Sequence, residues 1–273
     1  MSGASVGRRL AFVGEPSFLS TPTSSGMQLF VHTRVLRSGS LACVTVLADA
    51  DEVHEVNTAE TSRRRLREDF ERARKDMKVS IVAASGPFIA SRIRALFDGT
   101  RKVPQEAAAV QATVLGSLGD GADLPHPTHA LEPVDDAEAR VARSLELHTE
   151  TEINAILPAP REIEGVGEGV ATSGRDGANP DATVDALRTA IDAACDAGSR
   201  ARMALQLRDT ALALAATRRP DRALDAVATA AALEAPEASS GQIPYVFGMF
   251  YKFALVQQEL RRATAAQRGL TAG

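Results

Sequence analysis

Residues that often mark the class of a protein are scarce in this sequence. The 273 residues contain no tryptophan and two cysteines, and aromatic residues make up 4% of the chain. Cys43 and Cys195 are too few for the disulfide framework of a small secreted domain, which favours a reducing compartment such as the cytoplasm. The longest apolar run, residues 243–256, includes Lys252 and is shorter than the roughly 20 residues of a membrane-spanning helix. We therefore expect a cytoplasmic protein without a membrane span.

Neither sign of charge dominates the chain. It carries 31 basic and 35 acidic residues, a net charge of -4, so no overall positive field draws it onto nucleic acid or an anionic membrane. The arginines of residues 63–76 are interleaved with acidic residues, which favours a solvated helix face over an RNA site. Direct contact with nucleic acid stays open. Arg8 and Arg9, with no acidic residue before Glu15, also leave open a mitochondrial targeting segment.

The sequence lacks the motifs of the common enzyme classes. It contains no GxSxG, phosphate-binding P-loop, HExxH or CxxC motif, and no GxGxxG after a strand. The glycines of residues 165–169 follow a proline-rich coil and are interpreted as a linker. Asp123, His126 and His129 could supply metal ligands, but prolines stiffen the segment between them and no third histidine is near. We expect no catalytic activity, cofactor or metal, with a metal-dependent enzyme using these three residues as an alternative.

The N-terminal part of the chain predicts an α/β domain, which we place at residues 27–157. Residues 1–26 are rich in serine, threonine and proline and are interpreted as a flexible arm. After the arm, we expect strands at residues 28–36, 41–47, 52–56, 79–84, 108–115 and 139–147, and helices at residues 62–77 and 88–97. The first two strands flank a four-residue turn and predict a hairpin, and the apolar run at 79–84 is typical of a buried central strand.

The remaining residues predict a linker and an all-helical region. Residues 158–180 hold a glycine-rich stretch that we interpret as a linker and domain boundary, and residues 181–273 follow helical patterns. The last helix carries an apolar stripe with three phenylalanines. Its members are Val246, Phe247, Phe250, Phe253 and Leu260. Because the chain is not expected to cover this stripe by itself, we predict that it is an interface with partner proteins.

The order of these elements resembles that of the MPN (Mov34) domain family. In the non-catalytic subunits of the proteasome lid, the signalosome and translation initiation factor three, such a domain is followed by C-terminal helices. The segment from Asp69 to Val114 looks like the family's helix, central strand, metal-loop position, next helix and next strand. The stretches RALDAVATAAALEA and IPYVFGMFYKFALVQQEL look like the helices through which such subunits join a shared bundle. The resemblance implies an α/β (α+β) MPN-like domain with a mixed sheet, followed by an all-α region.

The active members of this family bind zinc through a His-x-His-Pro turn and a Ser-x-x-Asp motif. At the two histidine positions this sequence has Ala84 and Gly86, and Ser91 is followed three residues later by Arg94. These residues cannot complete a zinc site, so the resemblance implies a non-catalytic member, most like the f subunits of eukaryotic initiation factor three. The implied partners are other subunits of that complex, among them a second MPN subunit, together with the ribosome. A proteasome-lid or signalosome scaffold and a helical adaptor are the alternatives.

Overall fold

Five strands form one sheet in which every pairing is antiparallel. The computed structural model describes residues 6, 9–23, 26–49, 52–99, 114–116, 118, 124–150, 166, 180–254 and 256. The strands are β1 (Pro16–Ser20), β2 (Gln28–Val35), β3 (Leu41–Ala48), β4 (Val53–Thr61) and β5 (Ile81–Ser85). Their order in the sheet is β4-β3-β2-β1-β5. The mixed sheet that we expected is wrong for the described residues, since all four strand pairs run antiparallel.

The predicted hairpin is confirmed. Strands β2 and β3 pair from Gln28 opposite Ala48 to Val35 opposite Leu41, and Gly39 in the connecting turn has a φ of 84°. Glycine adopts a positive φ without strain, which explains why a glycine stands at this position of the turn. The predicted third strand is also present and, as β4, is longer than expected.

Strand β1 lies within the segment that we interpreted as a flexible arm, so that interpretation is wrong for residues 16–20. The strand pairs with β2 on one side and with β5 on the other. Two of its serines are fully buried: Ser17 accepts a hydrogen bond from the backbone N–H of Thr33 at 3.0 Å, and Ser20 accepts one from Leu29 at 2.9 Å. Strand β5 is consequently at the end of the described sheet and not at its centre.

Two helices cover the two faces of the sheet. Helix α1 (Arg63–Met77) packs Phe70 against the face that includes Val31, and helix α2 (Gly86–Gly99) packs Ile89 and Ile93 against the face that includes Phe30. Phe30 and Val31 are neighbours on β2, and successive strand residues point to opposite faces, so both helices find an apolar surface. Both helices were predicted, and Ser62 caps α1 by accepting a hydrogen bond from the Arg65 N–H.

The predictions of strands at residues 108–115 and 139–147 are wrong where the structure describes these residues. Residues 114–116 are helical, and residues 108–113 lie outside the described part. The segment expected as a strand at 139–147 instead forms helix α3 (Ala137–Ala142) and a 3-10 helix (Ser144–Thr149). Another 3-10 helix (Pro127–Leu131), the first in chain order, precedes them and is capped by His126.

The predicted C-terminal helices are confirmed within residues 180–256, and the predicted helical pattern of residues 257–273 lies outside the described residues. The helices are α4 (Pro180–Ala194), α5 (Ala197–Ala216), α6 (Pro220–Glu234) and α7, which is described at residues 244–254 and 256. Pro180 and Pro220 are the first residues of their helices, where the missing N–H of proline has no intrahelical partner to lose. A third 3-10 helix (Ser240–Gln242) precedes α7. Among the described residues no helix is both long and apolar enough to cross a membrane.

The helical region packs directly against the sheet layer. Leu212 and Ala213 of α5 belong to the same apolar cluster as Val46 of β3 and Ile89 of α2. The rest of α5 forms a second cluster with α4, α6 and α7. Buried contacts therefore cross the boundary that we placed at residues 158–180, most of which lies outside the described residues.

Candidate functional site

The apolar stripe of helix α7 was our candidate interface, and the structure places its members at different depths. Val246 and Phe250 are buried in the cluster formed with α4, α5 and α6, while Phe247 and Phe253 are half-buried against it. Leu260 lies outside the described residues. The premise that this chain cannot cover the stripe is therefore wrong for Val246 and Phe250, which hold α7 on the body of the protein.

The same face of α7 becomes exposed towards its C-terminal end. Met249 is 3% exposed, Phe253 one turn later is half-buried, and Val256 is 56% exposed. Residues 249, 253 and 256 follow the spacing of one helical face. On a neighbouring face Tyr251 is 48% exposed and stacks on Phe247, with ring centroids 6.1 Å apart. The exposed end of α7 is thus an apolar surface next to a firmly buried base.

The positions that the MPN resemblance assigns to a degenerate metal site lie around the start of α2. Ala84 is buried in β5, and Gly86 is the first residue of α2. The buried hydroxyl of Ser91 accepts a hydrogen bond from the Leu124 N–H at 3.3 Å, and Arg94 donates to the carbonyl of Leu115 at 3.1 Å. Both side chains thus hold α2 to the segments that follow it.

The three candidate metal ligands are not brought together in the part of the chain that the structure describes. His126 is buried, and its Nδ1 accepts a hydrogen bond from the Thr128 N–H at 3.3 Å. His129 lies 3.5 Å from a carboxylate oxygen of Glu132, and Asp123 is outside the described residues. Among the described residues no three His, Cys, Asp or Glu side chains are grouped as a metal site would require.

A buried polar cluster centred on Asp209 joins the sheet layer to the helices. The carboxylate of Asp209 accepts hydrogen bonds from Gln28 at 3.0 Å, from Arg92 at 3.1 Å and from His126 Nε2 at 3.1 Å. The Arg92 guanidinium also lies over the ring of Phe30, 5.5 Å from its centre. These partners come from β2, α2 and the loop before the first 3-10 helix, so one aspartate on α5 ties three elements together.

The protonation states in this cluster follow from its hydrogen bonds. Because Nδ1 of His126 accepts a hydrogen bond from a backbone N–H, Nε2 carries the proton and donates a hydrogen bond to Asp209. Burial lowers the pKa of His126, so the neutral form is favoured. Burial alone would raise the pKa of Asp209, but the Arg92 charge and the bonds from His126 and Gln28 lower it below its usual value. The cluster therefore holds a neutral imidazole beside a paired carboxylate and guanidinium.

Two further ion-pair groups fasten the helices to the loop segments. Arg208, which is fully buried, lies 2.7 Å from Glu132 and 2.5 Å from Glu234. Asp225 of α6 is likewise buried and pairs with Arg140 at 2.7 Å and with Arg143 at 2.8 Å. The sequence patterns did not indicate these ion pairs or the buried position of Asp209. The available signal was an acidic or basic residue on an otherwise apolar helix face, as at 203–214.

A groove lies between helix α1 and the face of the sheet that this helix covers, with a volume of about 440 Å³. Its floor is apolar, and two of its members, Phe18 and Phe70, meet edge to face with ring centroids 4.7 Å apart. The floor residues are Pro16, Phe18, Leu41, Leu66 and Phe70. The rim is charged and consists of Glu15, Arg63, Arg67, Glu71 and Arg74. Such a groove can receive one or two apolar side chains together with a charged group.

Comparison with the models of known families, with curated protein sequences and with solved structures found no match to this chain. The geometry leaves two candidate surfaces, the exposed end of α7 and the groove beside α1. The Asp209 cluster is buried, and its geometry assigns it the role of joining the layers.

Proposed function

We propose that this protein is a non-catalytic scaffold subunit that joins a multiprotein complex through the C-terminal end of α7. One observation carries the proposal: on a single helical face, exposure rises from 3% at Met249 to 56% at Val256. The apolar pattern of the helix continues past the point where the body of the protein covers it. A partner helix laid against this end would extend the same packing.

The buried base of α7 makes its exposed end a suitable anchor. Val246 and Phe250 fix the helix on the body, so a partner meets a surface that is already ordered. Association then costs less conformational entropy than it would with an unanchored helix. Burying a valine or phenylalanine side chain contributes roughly 1.5–3 kcal/mol, so Val256 and Phe253 together can supply a substantial part of an anchoring free energy.

The translation initiation factor three complex is the assembly that we propose first, in the cytoplasm. The support is the order of elements: hairpin β2–β3, helix α1, strand β5 and helix α2 follow one another as in the MPN resemblance. The antiparallel sheet and the helices at residues 114–116 and 137–142 depart from it. A proteasome-lid or signalosome assembly is the alternative scaffold role, whereas the five-stranded sheet counts against a purely helical adaptor.

Complex assembly can be tested with a single substitution at the exposed end of α7. We expect Val256→Asp to move the tagged full-length chain from the heavy to the light fractions of a density gradient of extract from its own cells. The introduced carboxylate would be desolvated at the interface, which corresponds to about tenfold weaker binding or more. Val184→Asp is the matched control, because Val184 is 36% exposed on α4 and should leave the sedimentation unchanged. Equal sedimentation of both variants in the heavy fractions would refute α7 as the anchor.

Truncation offers an independent test, and the structure fixes where to cut. Removing residues 243–273 would delete buried Ile243, Tyr245 and Val246 and unfold the helical region. A chain that stops after Ala254 keeps these residues and Phe253, but it loses Val256, the most exposed apolar residue of the face. We expect it to unfold at the same urea concentration as the full chain, because the buried residues are kept, but to sediment as a free subunit. Mass spectrometry of the heavy fractions of the full chain then identifies the complex.

A further inference from the structure

One face of helix α1 combines apolar side chains with arginines. Arg63, Leu66, Arg67, Phe70 and Arg74 all line the groove between α1 and the sheet. Their spacings of three, four and seven residues place them on one side of the helix. The groove therefore has a rim of three arginines and two glutamates directly beside its apolar floor.

The acidic residues of α1 do not neutralise this face evenly. On the outer side of the helix, Arg64 pairs with Glu68 at 3.0 Å, and Asp69 lies 3.4 Å from Arg65 and 3.7 Å from Arg72. The interleaved charges that suggested a uniformly solvated helix thus pair largely away from the groove.

In the described part of the chain, one arginine on the groove rim is not paired with a carboxylate. Arg63 forms two hydrogen bonds to Glu15, at 2.8 and 3.1 Å, and Arg74 bonds Glu71 at 2.5 Å. Arg67 donates from Nε to the carbonyl of Arg63 at 3.2 Å, and among the described residues it has no carboxylate partner. The terminal nitrogens of its guanidinium thus remain available for a carboxylate at the edge of the groove.

We propose that this groove binds a short segment of a partner protein in which a leucine or phenylalanine lies next to a glutamate or aspartate. The apolar side chain would enter the space above Phe18 and Phe70, and the acidic side chain would pair with Arg67. The site is separate from the exposed end of α7 and does not depend on the complex proposed above. Nucleic acid is a poor fit, because its backbone needs several cationic contacts and two of the rim arginines are already paired, Arg63 with Glu15 and Arg74 with Glu71.

The chemistry of the bound segment can be read by peptide selection. A displayed library of random twelve-residue peptides is selected on the immobilised full-length chain. We expect the enriched peptides to combine an acidic residue with leucine or phenylalanine. The best of them is then labelled with fluorescein and titrated with wild-type protein and variants by fluorescence polarisation.

Two arginines of the same helix give a matched comparison. Arg67→Glu replaces an attraction on the groove rim by a repulsion, and we expect about tenfold weaker binding of the selected peptide. Arg64→Glu makes the same change at a side chain that is 88% exposed and does not line the groove, so binding should change less than twofold. A third variant, Leu66→Ala, tests the floor and should also weaken binding. A circular dichroism spectrum like that of the wild type and a cooperative urea transition show that each variant is folded.

Three results would overturn this assignment. The first is selection of peptides without acidic residues. The second is a selected peptide whose affinity changes equally in the Arg67→Glu and Arg64→Glu variants. The third is a concentration-dependent dimer, measured by light scattering, that Arg67→Glu dissociates, because a second copy of the chain would then be the occupant of the groove.

Discussion

Replacing Asp209 by asparagine removes one negative charge from the interior while keeping the shape of the side chain. In the wild type, Gln28 and Arg92 share the oxygen Oδ2, and His126 bonds Oδ1. An asparagine offers only one acceptor oxygen, and its amide nitrogen faces a donor whichever way it is placed. The most favourable placement keeps Gln28 and Arg92 on the oxygen and leaves the Nε2–H of His126 without an acceptor.

The expected loss of stability has two parts. A buried donor that loses its acceptor costs about 1–3 kcal/mol. The Arg92 side chain is 12% exposed, so its charge also loses most of its compensation; removing one partner of a fully buried pair costs up to about 3–5 kcal/mol. Because Arg92 keeps some contact with water and a hydrogen bond to the amide oxygen, we expect a total near 3 kcal/mol. Domains are stable by about 5–15 kcal/mol, so the variant should still fold.

Urea denaturation followed by circular dichroism measures this loss. Asp185→Asn is the control, because Asp185 pairs with Arg188 at 3.3 Å but its side chain is 74% exposed, and its effect should stay within about 0.5 kcal/mol. Arg92→Ala and the double variant complete a cycle that isolates the coupling between Arg92 and Asp209. We expect a coupling of at least about 1 kcal/mol.

A loss below about 1 kcal/mol in Asp209→Asn, or a coupling near zero, would refute this reasoning. Either result would mean that the carboxylate does not carry the contacts between α5, α2 and β2. The role of the cluster in joining the layers would then have to be abandoned.

Two further predictions concern histidines with a lowered pKa and glycines that lie in close contact with other residues. Burial lowers the pKa of three histidines: His32, His126 and His148. The unfolded chain then binds protons more readily than the folded chain, so the stability contributed by these neutral histidines is present above pH ~6.5 and is lost as the pH falls below it. Urea midpoints measured from pH 8 to 5 test this. A midpoint that does not change with pH would contradict the prediction. Gly241→Ala should lower the melting temperature, with a cost of about 2 kcal/mol, because the new Cβ would lie 2.4 Å from the Arg188 carbonyl oxygen. Gly248→Ala should cost less, since the nearest atom there is the end of the half-exposed Leu145 side chain and alanine favours the helix; equal effects would contradict the reasoning.

Apolar periodicity predicted the elements whose buried residues are apolar. Helix α1 follows from the spacing of Leu66 and Phe70 together with Ser62 as its cap, and the hairpin follows from two β-branched runs around a turn. Strand β1 was missed because two of its five residues are buried serines, which satisfy backbone N–H groups of β2. A hydrophobicity pattern does not indicate a polar side chain that is buried because it hydrogen-bonds to the neighbouring strand.

The segment at 139–147 was misread for a related reason. Its buried residues are Arg140, Ser144 and Leu147, which follow helical spacing, but two of the three are polar. Arg140 is buried because Asp225, 85 positions later in the chain, accepts its hydrogen bond. The helical period of the segment becomes visible only when that distant partner is known.

Local sequence determined where most helices and strands of this protein lie, because caps, turns and apolar spacing act between residues a few positions apart. Tertiary structure alone decided which apolar faces are covered. Phe250 is buried and Val256, six residues later, is exposed, although both are apolar, because the body of the protein covers only the first. It also decided the partners of buried charges, since Asp209 meets Gln28 across 181 positions of the chain. Neither the burial of an apolar face nor the partner of a buried charge depends on residues close by in the sequence, so no local sequence pattern indicates them.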